Sequence, residues 1–152
     1  MKKALFLTIF LYSFLSANYE IIKNENLFLV KVNNKSFEES LLNLKDELNF
    51  QGFTIVYELN LAKATNEVAS LLERKSVLEK GISLGICKSS FTLEMVEENF
   101  HNINYCPLAI SIYKKDDISY VSYKFYKVFK TNDKIADKIN MTLKDLIIKS
   151  LE

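Results

Sequence analysis

This chain predicts a single α+β domain, and three observations carry that expectation. Apolar residues alternate in short runs at residues 27–32, 82–86 and 108–112. They recur at helical spacing at Phe37, Leu41, Leu44 and Leu48, and again at Ile135, Ile139, Leu143, Leu146 and Ile147. The two kinds of run interleave along the chain. Helices that are apolar along one side bury one face only, so they are expected to pack against a mixed, largely antiparallel sheet in the order β-α-β-α-β-α-β-β-α. With 49% hydrophobic residues the chain can fill a core, which excludes disorder. Three glycines and one proline leave little room for long loops.

Residues 27–32 (Leu-Phe-Leu-Val-Lys-Val) read as the first strand, rich in apolar residues and free of breakers. Ser36-Phe37-Glu38-Glu39 then forms a capping box, in which the Ser36 hydroxyl serves the backbone three residues on and Glu39 reaches back. Gly52 ends the first helix, being the residue best suited to a left-handed conformation. A second strand covers residues 53–59. Asn60 caps a second helix over roughly residues 61–72, with Leu61, Ala64, Val68 and Leu72 as its apolar side. Residues 76–80 connect to a third strand, where Ile82, Leu84 and Ile86 alternate up to Cys87. Ser89 or Ser90 caps a third helix reaching about Phe100, with Leu93, Val96 and Phe100 on its apolar side. Pro107 opens a fourth strand, where its missing N–H does least harm. A polar turn at residues 114–117 leads to a Tyr-rich fifth strand at 118–129, and Asn132 or Asp133 caps the last helix.

The first seventeen residues have a different character. Lys2 and Lys3 precede an apolar run at residues 4–15 and a Ser16-Ala17 exit, the order of a secretory signal peptide. That run falls short of the roughly 20 apolar residues a spanning helix needs, so no stable membrane span is expected after cleavage at Ala17. Cleavage would leave 135 of the 152 residues as a single domain, and loss of two lysines moves the formal charge from +1 to −1. Near-neutrality gives no electrostatic basis for nucleic-acid binding. A periplasmic location is expected, or an extracellular one in a Gram-positive host.

The order of these features resembles the domain-of-unknown-function 302 family. The resemblance rests on the Ser36-Phe37-Glu38-Glu39 helix start, Gly52-Phe53 opening a strand, Leu84-Gly85-Ile86-Cys87 before a helix, and Pro107 opening an apolar strand that ends at Tyr113. It covers residues 27–129, with the last helix also expected. It implies a small bacterial α+β domain with no established common activity, in which Cys87 and Pro107 match family positions. Two features depart from the family pattern. Lys88-Ser89 stands where Asn-Pro is common, and Cys106 precedes Pro107 where the family often has a Cys after the Pro.

Cys87 is the candidate functional thiol. A helix start and Lys88 beside it would favour the thiolate, whereas a small apolar residue ending a buried strand is the plainer reading. His101, the one histidine, is expected at the far end of a helix of roughly 15 Å from Cys87, too distant for a catalytic pair. Glu94, Glu97 and Glu98 read as a solvated face, and Lys124, Lys127, Lys130, Lys134 and Lys138 as a basic but dispersed surface. Tyr113, Tyr120, Tyr123, Phe125 and Tyr126 are candidates to line a ligand pocket or a homodimer interface. No catalytic set, metal site or cofactor motif is recognised. A non-catalytic small-ligand-binding or interaction domain is therefore expected, with thiol-dependent sulfur, metal or redox handling through Cys87 as the alternative. An intervening helix that returns along the sheet would put Cys106 at the opposite end from Cys87, so two separate thiols are expected.

Overall fold

The computed structural model describes residues 17–127 and 134–152. Along the chain run β1 (Tyr19–Ile22), β2 (Leu27–Val32), α1 (Phe37–Phe50), β3 (Thr54–Asn60), α2 (Leu61–Leu71), β4 (Lys80–Cys87), α3 (Ser89–Glu98), a 3₁₀ turn (Phe100–Tyr105), β5 (Leu108–Lys115), β6 (Ile118–Lys124) and α4 (Lys134–Leu151). The strands form one sheet in the order β1-β2-β6-β5-β4-β3, antiparallel at every pairing. The expected α+β architecture is present. All but the last residue of the expected signal segment lie outside the described residues. Among the described residues, no helix is long and apolar enough to cross a membrane.

The core lies between one sheet face and helices α1, α3 and α4. Phe28, Val30 and Val32 of β2, Ile82, Leu84 and Ile86 of β4, Leu108, Ile110 and Ile112 of β5, and Val121 of β6 all point to that face. α1 starts as its capping residue predicts, with the Ser36 hydroxyl accepting from the Glu39 N–H at 3.1 Å. It ends in a Schellman motif: Gly52 takes φ +77°, its N–H donates to the Asn49 carbonyl, and the Phe53 N–H donates to the Leu48 carbonyl. The expected apolar stripe of α4 is buried throughout, at Ile135, Ile139, Leu143, Leu146 and Ile147.

Several expectations are corrected. A strand at Tyr19–Ile22 extends the sheet beyond β2, because its backbone pairs with residues 29–32 whatever its side-chain pattern. α2 keeps its Asn60 cap, whose side chain accepts from the Lys63 N–H at 2.8 Å. Its apolar stripe is nevertheless exposed, including Leu61, Val68 and Leu72. Only Ala62 is buried, set against Gly81, where an added Cβ would stand 3.4 Å away. Neither serine caps α3: Lys88 occupies the N-cap position without a side-chain bond, and the buried residues are Phe91 and Met95 rather than Leu93 and Phe100. β6 ends at Lys124, not at Phe129. The expected cap at Asn132 or Asp133 lies outside the described residues.

The most consequential correction concerns the link between β4 and β5. These strands are adjacent and antiparallel, with Ile86 opposite Leu108, so the chain leaves and re-enters the sheet at the same end. The 3₁₀ turn makes this possible by folding back against α3, where the buried Asn102 side chain donates to the Met95 carbonyl at 3.1 Å. A single returning helix had been expected. The chain instead makes an out-and-back excursion.

Candidate functional site

On the sheet face away from the core, small residues line up across the central strands. Ser83 of β4 pairs with Ser111 of β5, and Ser111 with Ser122 of β6. Side chains two residues apart share a face and neighbouring strands lie about 4.8 Å apart, so three hydroxyls form a row. Ser83 and Ser122 are buried residues, and all three serines face the same cavity. On the next row, Tyr57 lies across Gly85, where an added Cβ would come within 2.2 Å of the ring. On the opposite side of the serines, Tyr113 and Tyr120 stack at 5.5 Å.

The segment after β6 closes one end of this trough. Pairing of β5 with β6 stops at Ser111–Ser122, and the Ala109 N–H is satisfied instead by the Tyr126 hydroxyl at 2.8 Å. A phenol thus stands in for a missing strand partner. The Tyr126 backbone is held on both sides by one side chain: its N–H donates to Asn140 Oδ1 at 3.0 Å, and its carbonyl accepts from Asn140 Nδ2 at 2.9 Å. The Phe125 N–H donates to the Asn26 carbonyl, and the Tyr105 hydroxyl donates to the Lys127 carbonyl at 2.8 Å. The result is a cavity of about 690 Å³ lined by the three serines, Tyr105, Phe125 and Tyr126, with Lys124 and Lys127 at its edge. No described lining residue is acidic.

The tyrosine-rich set is therefore divided by the pleat. Tyr113 and Tyr120 lie on the open face, and Phe125 and Tyr126 wall the cavity. Tyr123 is buried in the core cluster and also borders the cavity, its hydroxyl donating to the Asn140 carbonyl at 2.8 Å. Burial raises the Tyr123 and Tyr126 pKa values, helped for Tyr126 by Tyr57 and Cys106, so both phenols stay protonated. Tyr105, Tyr57 and the serine row were not singled out in the sequence. The available signal was a second alternation beneath the apolar one: Gly81, Ser83 and Gly85 in β4, and Ala109 and Ser111 in β5.

At the same end of the sheet the two cysteines meet. Cys87 Sγ and Cys106 Sγ are 3.1 Å apart, and the Thr92 hydroxyl lies 3.2 Å from Cys106 Sγ. The expected separation is overturned by the antiparallel link, since the two cysteines stand at the feet of the α3 excursion. Burial, then the hydrogen bond that the Cys87 thiol can donate to Cys106, and then the charge of that neighbour push Cys87 up to about 11. Lys88 does not oppose this. Its ammonium donates to the Gln51 carbonyl at 2.9 Å and sits over the Phe53 and Phe91 rings.

The sequence model of the domain of unknown function DUF302 matches residues 28–150, most of the chain. The chain belongs to the DUF302 family. It is also similar to a solved structure described as an uncharacterized conserved DUF302 protein from Bacillus stearothermophilus. That likeness has a TM-score of 0.57 at 14% identity and covers 84% of this chain and 94% of the other. At this identity the similarity concerns the fold alone. No curated protein matches.

The other candidate residues of this DUF302 domain are dispersed. His101 is exposed in the 3₁₀ turn, its ring against Phe100 at 3.9 Å. Glu94 is bonded to the Lys138 ammonium at 2.6 and 2.8 Å, while Glu98 turns one buried oxygen inward without a partner among the described residues. Among the described residues, no three metal-ligating side chains converge.

Proposed function

We propose that this DUF302 chain is an exported, non-catalytic domain that binds a small ligand on the open face of its sheet. One observation carries the binding part: a row of three serines, Ser83, Ser111 and Ser122, lines a 690 Å³ cavity walled by aromatic rings. Cavities of about 300–1,000 Å³ are of the size that holds small molecules, and a few polar groups in an apolar lining fix the orientation. The chemistry favours a compact molecule with an apolar body and hydroxyl or carboxylate oxygens. The serines can donate to those oxygens, the rings cover the body, and Lys124 and Lys127 favour negative charge over positive. Export is supported by the charged and apolar start of the chain, and by a first strand beginning at Tyr19, just after the expected cut.

Native mass spectrometry of the protein purified from its own host tests the binding. The expected result is an added mass that is lost on denaturation and absent from Ser111→Leu, whose larger side chain fills the cavity floor. A bare protein mass from both proteins, with Ser111→Leu folded by circular dichroism, would overturn the reading. The same spectra report oligomeric state. Leu59 of the edge strand β3, and Leu61 and Val68 of α2, are exposed apolar side chains that would suit a second copy.

A further inference from the structure

We propose that Cys87 and Cys106 form a dithiol site that exchanges with small disulfides, with Cys106 as the attacking thiol and Cys87 as the resolving one. This goes beyond ligand binding and does not depend on it. The topology brings the two sulfurs together: β4 ends at Cys87, β5 begins just after Cys106, and the paired strands fix both positions at one sheet end. At 3.1 Å the sulfurs need to close by only about 1 Å to reach a disulfide bond. Both residues are partly exposed, so a small molecule can reach them.

The roles follow from the contacts. Cys106 Sγ lies within hydrogen-bond reach of two groups that can donate, the Cys87 thiol and the Thr92 hydroxyl, whose proton can turn to it from the more distant Lys88 carbonyl at 3.4 Å. When Cys106 ionises, both can donate to its sulfur and hold the negative charge there. Cys87, with only the Cys106 thiol as such a neighbour, keeps its proton. The Cys106 thiolate attacks one sulfur of a disulfide R–S–S–R, forming Cys106–S–S–R and releasing R–S⁻, which takes up a proton from solvent. Cys87 then loses its proton to solvent and attacks Cys106 Sγ, forming the Cys87–Cys106 bond and expelling the second R–S⁻. The protein dithiol is oxidised by two electrons, and one small disulfide is reduced to two thiols.

The test uses the full purified protein, reduced and then equilibrated with excess oxidised glutathione, and counts thiols by maleimide labelling and intact mass. Wild type is expected to lose two hydrogens, carry no glutathione and take up no maleimide. Cys87→Ser should accumulate one glutathione on Cys106, because nothing resolves it. Cys106→Ser should be modified at Cys87 at least ~10-fold more slowly. Two labelled thiols in wild type, or stable glutathione on both cysteines, would overturn the proposal. Equal rates in the two variants would overturn the assignment of roles. The wild-type count stands on its own should either variant fold poorly. It is also read separately from any bound ligand.

Discussion

Replacing Asn140 by alanine probes the wall of the cavity from the far side of α4. The asparagine amide makes two hydrogen bonds to the main chain of Tyr126, at 3.0 and 2.9 Å, and thereby holds the ring whose hydroxyl serves the Ala109 N–H. Each bond contributes about 1 kcal/mol net, so removing both costs about 2 kcal/mol. Alanine is the better helix former by about 0.5 kcal/mol, which offsets part of that loss. The expected net effect is a destabilisation of about 1.5 kcal/mol, measured as a lower urea midpoint at unchanged m. Asn140→Asp should lose at least as much, since it keeps the acceptor for the Tyr126 N–H but sets a carboxylate oxygen against the Tyr126 carbonyl. Tyr126→Phe should cost roughly 1 kcal/mol in wild type and less in the Asn140→Ala background, where the ring is already released. If Asn140→Ala lies within about 0.5 kcal/mol of wild type, or the two substitutions are additive, then α4 does not hold the cavity wall.

Three further outcomes are expected. Ile110→Ala, at a fully buried site on the central strand β5, should cost about 2–5 kcal/mol by urea unfolding, and a loss below about 1 kcal/mol would contradict the packing. Under reducing conditions Cys87 should make stability pH-dependent in a defined window. Its folded value of about 11 lies above the reference value of 9.0, so the fold favours the protonated thiol. Its stabilisation is complete below about pH 9 and is lost as pH rises towards about 11, so the stability gap between wild type and Cys87→Ser should shrink there. A gap that is flat across that range would refute the assignment. Finally, intact mass of protein from a periplasmic extract should correspond to a chain beginning at Asn18, and a mass retaining residues 1–17 would remove the case for export.

Where structure depends on a few neighbouring residues, the sequence was readable. α1 is specified by Ser36, an apolar stripe and Gly52, all of which act within one or two turns, and all three do what their chemistry predicts. α2 carries equally good local signals, and its Asn60 cap forms, yet Leu61, Val68 and Leu72 lie in the open. A stripe of apolar residues predicts a helix face but not that something covers it. At the point of contact the sheet presents Gly81, and Ala62 is the α2 residue set against it. β1 was hard to read for the converse reason: it is four residues long, its backbone bonds to β2 give it its place in the sheet, and only Tyr19 packs against the core.

The two parts of the candidate site were hidden by different physics. The serine row exists only through register, because Ser83, Ser111 and Ser122 become neighbours when β4, β5 and β6 pair as they do. A shift of one residue would turn each of them into the core. A single helix between the strands would set the cysteines apart, and the structure has a helix and a returning turn. A helix between strands of one sheet can carry the chain to the far end, which makes the strands parallel, or be followed by a second segment that brings it back. Residues 100–105 give only a weak signal for that second segment, because their apolar residues Phe100 and Ile103 are both exposed. It is held by Asn102 reaching the Met95 carbonyl, one buried polar contact seven residues apart in sequence. That contact helps to hold the returning segment, while the β4–β5 pairing places Cys87 and Cys106 within 3.1 Å. Asn102→Leu, which cannot make it, should therefore loosen the excursion and slow the closure of the disulfide while leaving the distant α1–α4 packing intact.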